Sequence, residues 1–283
     1  MSRWAQEQMM LKPVACQIRE VVRIFSCMIF KSGVPHQDKM NYTTIILAAG
    51  MGTRLHPLTL NKPKCLLEIA GESFISRTIK TCLNHHIKKF IIVLGFEAEQ
   101  ISQHIHNTYP NLPVQFVINK KYNETNTGYS LFLALKQLTG SFVLFDGDLL
   151  FDPKLLNLCL ETDSKNAMVT DIRIERLDEE ALKARANADN AIIELGKKIP
   201  LSKAHGEFIG LCRFSEKNAL TLRSMMETTF ANSSNNQLYY EDVISNSLDK
   251  YEKVALVPTK DYLWSEVDTL EDLEHIRLNW NLA

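Results

Sequence analysis

Residues 43–64 read TTIILAAGMGTRLHPLTLNKPK. The run from Thr43 to Leu47 is apolar and β-branched, and it ends in the small residues Ala48, Ala49 and Gly50. This pattern predicts a buried strand that opens into a glycine-bearing loop. Small side chains let backbone N–H groups approach an anion closely. Arg54 and Lys64 add two cations to the same loop. Backbone donors beside two cations suit a polyphosphate. A dinucleotide loop fits poorly. Gly50 and Gly52 lack the third glycine, and the next strand, FIIVLG, ends on Gly95 rather than on an acid. A Walker A loop fails as well, because no Gly-Lys-Ser or Gly-Lys-Thr occurs.

Outward from this loop the pattern alternates. ESFISRTIKTCLNHHI has helical spacing at Phe74, Ile75, Thr78, Ile79 and Leu83, and KKFIIVLG reads as a buried strand. EAEQISQHIHNTY and YSLFLALKQL read as helices, and VQFVIN and SFVLFDGD read as strands. Apolar strands alternating with amphipathic helices predict βαβ units and a parallel sheet covered on both faces. Ligands of such sheets sit at the carboxyl ends of the strands. Gly50, Gly95, Asn119 and Asp148 are the expected strand ends. Beyond Asp148 the rhythm loosens. DPKLLNLCLE reads as a helix with Pro153 in its first turn. AMVTDIRI, NAIIELGKKI and GEFIGLCRFS read as strands that include an antiparallel flap. KNALTLRSMMETTF and YEDVISNSLDKY read as helices, and KVALVPT and LWSEVD as strands. TLEDLEHIRLNW closes the chain as a helix, with Thr269 as its cap and Asp272 at the third position. No repeat or second linker is visible, so one α/β domain from 41 to 283 is expected.

Composition narrows the function classes. The net charge is −1 and the sequence pI is about 6.7, which argues against a general nucleic-acid binder. The six cysteines form no CxxC and sit mostly among apolar residues, as expected for core thiols of a reducing, cytoplasmic compartment. His85 and His86 are adjacent, so on a helix they face apart and make a poor metal pair. Residues 1–39 carry six Lys/Arg against three acids, and their longest uncharged run, Ile24 to Phe30, is seven residues. A spanning helix needs about 20, so no membrane span is expected. An amphipathic helix for an interface or partner is one reading of this segment; a loosely attached extension, with Met40 as an alternative start, is the other. A homodimer stays open.

LAAGMGTRLHPLTLNKPKCLLEIAG, residues 47–71, resembles the signature of nucleotidyltransferases that join a nucleoside triphosphate to a phosphorylated small molecule. NETNTGYSLFLAL, FDGDLLFDP, GEFIGLCRFS, YYEDVI and LWSEVDTLEDLEHIR resemble the cytidylyltransferase branch. Its members act on phosphocholine, 2-aminoethylphosphonate or inositol phosphate. The resemblance implies a Rossmann-like three-layer α/β/α fold with a mostly parallel central sheet and a small antiparallel flap. It implies that Asp148 and Asp268 hold a Mg²⁺ that also binds triphosphate oxygens. Asp146, one pleat deeper than Asp148, is the poorer ligand. Lys64 is expected to stabilise the transition state, and Arg54 to hold the leaving pyrophosphate. Leu47, Ala48, Ala49, Gly50 and Gly52 are expected around the nucleotide, with Gly95 bordering the base. Thr127, Gly128 and Ser130 are expected at the corner that meets the base, where Thr127 or Ser130 can also cap the next helix. Tyr129, Glu207, Tyr239, Glu241 and Trp264 are the expected acceptor contacts, with Asp242 as good a candidate as Glu241. Aromatic faces and carboxylates suit a cationic choline or aminoethyl head, whereas an inositol head wants polar partners. The resulting expectation is Mg²⁺-dependent CMP transfer from CTP with release of pyrophosphate. A sugar-1-phosphate nucleotidyltransferase and a silent nucleotide-binding relative remain the alternatives.

Overall fold

The structure, a computed structural model, describes residues 41–280. The expectations for residues 1–39, and for Cys16 and Cys27 within them, lie outside the described residues. The strand read from Thr43 forms as β1 (Thr43–Ala48) and is buried along its whole length. It lies between β4 (Lys89–Leu94) and β6 (Phe142–Asp146), and β4 continues to β5 (Val114–Ile118); all three pairings are parallel. Alternate residues of these strands feed two separate cores, as the pleat requires. Ile46, Ala48, Ile92 and Leu94 pack with Ile79 and Cys82 of α1 (Phe74–Asn84) and Ile101 and Ile105 of α2 (Ala98–Thr108). Ile45, Leu47, Ile91 and Val93 pack on the other side. There they meet Leu131 and Leu135 of α3 (Thr127–Leu135), Leu222 of α5 (Glu216–Phe230) and Ile244 of α6 (Tyr240–Ser245). The helix α4 (Lys154–Glu161) joins the first core through Leu155 and Leu156. This is the expected α/β/α layering. Each fully buried aliphatic or aromatic side chain contributes roughly 1.5–3 kcal/mol.

The second half of the sheet is antiparallel. The strands run in the order β10-β9-β11-β6-β1-β4-β5, with β8 (Asn166–Asp171) and β12 (Val254–Pro258) branching from β11. The trailing half of β11 (Gly206–Phe214) pairs with β6, and its leading half with β9 (Lys183–Ala186). The register shifts between Phe208 and Cys212, around Gly210. Gly210 has φ +79°, and a Cβ there would lie 2.5 Å from Asp146 Oδ2. This kink turns the chain from the flap into the main sheet. The flap itself is β9, the start of β11 and β10 (Ile192–Gly196). The sequence pattern does not reveal β9, because its residues KARA lack both an apolar run and a clean alternation.

Two small pairings set the site. A hairpin joins β2 (Glu68–Ile69) to β3 (Glu72–Ser73). The strand β7 (Leu149–Phe151) pairs with β13 (Trp264–Glu266), with Leu149 opposite Glu266. Asp148 and Asp268 therefore do not end strands, as the sequence suggested; each lies in a turn beside this pairing. The strand β6 stops at Asp146 because Gly147 passes directly against the Leu47 carbonyl, where any side chain would clash. A third core cluster links the glycine-bearing loop to the end of the chain. Leu55, Leu67 and Phe74 pack there with Val267 and with Leu273 and Ile276 of α7 (Leu270–Asn279). Thr269 caps α7 in a reciprocal pair with Asp272, as read from the sequence. Among the described residues no helix is long and apolar enough to cross a membrane. Cys65, Cys82, Cys159 and Cys212 are free and buried.

Candidate active site

The loop after β1 and the turn before α7 meet over the end of β6. Lys64 Nζ donates to Asp148 Oδ2 and to Asp268 Oδ1, each at 2.5 Å. A guanidinium nitrogen of Arg54 donates to Asp268 Oδ2 at 2.8 Å. The Lys64 side chain is 11% exposed and that of Arg54 is 69% exposed. One cation is therefore set into the floor and the other stands on the rim. Burial lowers the Lys64 pKa, but Asp148 and Asp268 outweigh it, and the ammonium titrates above its ordinary range. Burial likewise raises Asp268, yet Lys64 and Arg54 hold its carboxyl below the usual range.

These groups open into a cavity of 810 Å³. Leu47, Ala48, Gly50 and Gly52 line one end, beside Arg54 and Lys64. A Cβ on Gly50 would meet nothing within 4 Å, so the backbone there is open to a close approach. Thr127, Asp148 and Asp268 line the middle, and Glu207, Tyr239 and Glu241 line the far end. Asp242 also lines it, while its carboxylate accepts from the Tyr239 backbone N–H at 3.0 Å.

Other expected residues lie off this cavity. Ala49 belongs to the core, and its carbonyl accepts from Phe96 N–H. Gly95 is packed so closely that a Cβ would lie 2.6 Å from Tyr122 Cβ and 2.7 Å from the Ala49 carbonyl. At Gly128 a Cβ would lie 2.6 Å from the Leu238 carbonyl, so this glycine allows α3 to approach the segment before α6. Tyr129 packs edge-on against Phe230. Ser130 is buried and accepts from Asn119 Nδ2 at 3.1 Å. Neither Thr127 nor Ser130 caps α3; Asn126 does, accepting from Thr127 N–H at 2.8 Å. Trp264 donates its indole N–H to Asp171 at 2.7 Å and packs against the first core, away from the cavity.

The structure adds residues that the sequence reading did not single out. Asp146 lines the cavity, and its Oδ2 accepts from the buried Tyr240 hydroxyl at 3.0 Å. Burial, then the charges of Glu241, Asp148 and Glu266, push its carboxyl well above the usual range. Glu266, on β13, also faces the cavity; burial and the nearby Asp148 and Asp268 push it up to about 8. Burial, with Asp178 and Asp171 nearby, pushes Glu207 up to about 7. Burial pushes Glu241 up to about 7 as well. The flap loop carries Asp178 and Glu180 into the cavity wall. Lys183, fully buried at the start of β9, holds this loop by donating to the carbonyls of Asp178, Glu179 and Ala181 at 3.2, 2.8 and 3.2 Å. An acidic wall whose members come from four distant segments leaves no mark in a local motif. The doubled acids in FDGD and WSEVD were its only visible trace.

The donor set fits a hard divalent cation. Asp148 and Asp268 both reach one ammonium, so both lie within reach of one small cation. Mg²⁺ favours one or two carboxylates, completed by phosphate oxygens and water. Among the described residues no group of three or more His, Cys, Asp or Glu is placed to hold a metal without such help.

Comparison with known proteins follows this geometry. The sequence profile of the family described as Nucleotidyl transferase matches residues 43–280. The bifunctional protein GlmU of Methanococcus vannielii is 34% identical over 112 residues, which is 40% of this chain and 26% of that protein. The CTP:phosphoglutamine cytidylyltransferase of Campylobacter jejuni is 27% identical over 252 residues, covering 81% of this chain and 97% of that protein. The solved inositol-1-phosphate CTP transferase from T. maritima superposes with a TM-score of 0.70 at 22% identity, over 84% of this chain and 94% of that one. The chain spans between 26% and 50% of the length of the bifunctional relatives it matches.

Proposed function

The chain belongs to the nucleotidyl transferase family, and on that premise we propose that it transfers CMP from CTP to a small phosphorylated or phosphonate acceptor. One observation carries the reading. Lys64, Asp148 and Asp268 converge within 2.5 Å contacts at the middle of a single cavity, with the open Gly50 loop at one end and Glu207 and Glu241 at the other. The cavity thus offers a nucleotide end, a charged centre and an acceptor end in line. The choice of CTP is supported by the relatives and neighbours whose names specify it.

The reaction is attack by an acceptor oxygen on the α-phosphorus of CTP, with pyrophosphate leaving. A phosphate or phosphonate oxygen is already anionic near neutral pH, so no strong general base is required. Catalysis then rests on positioning and charge neutralisation. The Gly50 backbone is open to a close approach by the nucleotide. Lys64 faces the α-phosphoryl oxygens, where negative charge grows, and its near-complete burial strengthens that interaction. Arg54, exposed on the rim, holds the β- and γ-phosphates as they depart. Mg²⁺ on Asp148 and Asp268, when bound, supplies further neutralisation of the triphosphate. The test is pyrophosphate release from CTP with a panel of acceptors, with and without EDTA. Release from CTP that EDTA abolishes is the expected result; release from another nucleotide alone would retire the base assignment.

A further inference from the structure

We propose that the acceptor carries a primary ammonium group, and that Glu241 and Glu207 bind it at the far end of the cavity; this rests on the cytidylyltransferase reading above. The starting observation is an unmet hydrogen bond. Glu241 is 8% exposed and lines the cavity, and its Oε2 is buried without a hydrogen-bond partner. A buried, unpartnered carboxylate oxygen carries a large desolvation penalty and calls for a donor. The last torsion of a glutamate side chain is soft, so either oxygen can be turned to an incoming group. Asp146, beside Glu241, also has a buried oxygen, Oδ1, without a partner.

The surroundings specify what that donor is. Glu207 and Glu266 line the same cavity and feel each other's charge, and Glu241 adds to the charge around Asp146. A cation relieves this crowding, whereas a neutral polyol supplies hydrogen bonds but leaves the repulsion in place. A quaternary ammonium brings charge but no N–H. Such a head is held by aromatic faces instead, and the aromatic residues that the sequence offered for a cage are mostly turned away. Trp264 is bonded to Asp171, and Tyr129 is packed against Phe230. Of those expected acceptor aromatics only Tyr239 lines the cavity. A primary ammonium, with three N–H donors and one charge, meets both demands at once.

The test compares acceptors that differ only at nitrogen. Phosphoethanolamine and phosphocholine, with 2-aminoethylphosphonate and inositol-1-phosphate alongside, are assayed for pyrophosphate release from CTP and for binding by titration calorimetry. The expected result is a kcat/KM at least about tenfold higher for the two primary amines than for phosphocholine, as for a buried site left with an unpaired polar group. In Glu241→Gln and, separately, in Glu207→Gln, that ratio should fall toward one. Two variants guard against one failing to fold, and calorimetry reads the preference without turnover. Turnover of phosphocholine or inositol-1-phosphate as well as of the amines, or a ratio unmoved in both variants, overturns the assignment of the head and leaves the cytidylyltransferase reading standing. Release only from another nucleotide with a sugar phosphate overturns both.

Discussion

Lys64 and Asp268 lie 204 residues apart in the chain, yet the Lys64 ammonium donates to the Asp268 carboxylate at 2.5 Å. The same ammonium holds Asp148 at 2.5 Å. The phosphate loop and the carboxylates are thereby fixed to one another by a single side chain. Removing one preorganised charge from such a centre typically costs on the order of 10²–10³ in rate. Lys64→Ala is therefore expected to lower kcat by at least about that factor. A steady-state assay that returned an unchanged kcat would sink the role.

The contact depends on packing behind it. Leu55 is fully buried in the cluster that also holds Val267, Leu273 and Ile276. Leu55→Ala should destabilise the fold by about 2–5 kcal/mol, as for other buried leucines. It should also raise KM for CTP, because Arg54 is the neighbouring residue and Lys64 lies in the same loop. Urea denaturation and nucleotide kinetics check the two halves. Lost stability with an unchanged KM would separate the cluster from the site.

Lys183 makes a different demand. Its ammonium satisfies three backbone carbonyls of the 178–181 loop from a fully buried position. Lys183→Met would leave those carbonyls short of a donor, at a cost of about 1–3 kcal/mol or more. Since the loop forms part of the acceptor end of the cavity, KM for the acceptor should rise more than KM for CTP. Equal changes in both would contradict this placement.

The acidic wall sets a pH dependence. Burial raises Glu207 and Glu241 to about 7. Between the usual glutamate range and about pH 7 the folded protein holds protons that the unfolded chain has released. Stability contributed by these two groups therefore falls as pH rises through that window and levels off above it, by on the order of 1–3 kcal/mol. Asp268 acts oppositely. Its lowered pKa adds stability at higher pH that is lost as pH falls through the acid range. The melting temperature of the ligand-free protein should thus be higher near pH 5 than near pH 8, with a shallower slope in Glu241→Gln. A melting temperature that climbs from pH 5 to pH 8 would refute the direction.

The sequence made the parallel half legible for a physical reason. β1, β4 and β6 are buried on both faces, so their apolar runs stand out against amphipathic helices. Arg54, Lys64, Asp148 and Asp268 were legible because each sits in a short motif with its own chemistry. Their convergence was not, since it depends on Leu149 pairing with Glu266 across the chain. The assignments around Trp264, Tyr129 and Gly95 came from position in a resembling segment, and packing turned those residues elsewhere. β9 escaped because a four-residue flap strand carrying Lys183 and Arg185 does not look apolar. Asp146 was placed too deep to matter, yet the kink at Gly210 opens the cavity down to it.

The central claim is CMP transfer from CTP, and pyrophosphate release measures it most directly. CTP, UTP, GTP and ATP are crossed with 2-aminoethylphosphonate, phosphocholine, inositol-1-phosphate and glucose-1-phosphate, with Mg²⁺ and with EDTA. The account predicts release from CTP with a small non-sugar acceptor, abolished by EDTA and reduced at least about a hundredfold in Lys64→Ala. Release confined to UTP or GTP with glucose-1-phosphate, or none from CTP with any acceptor, would contradict it.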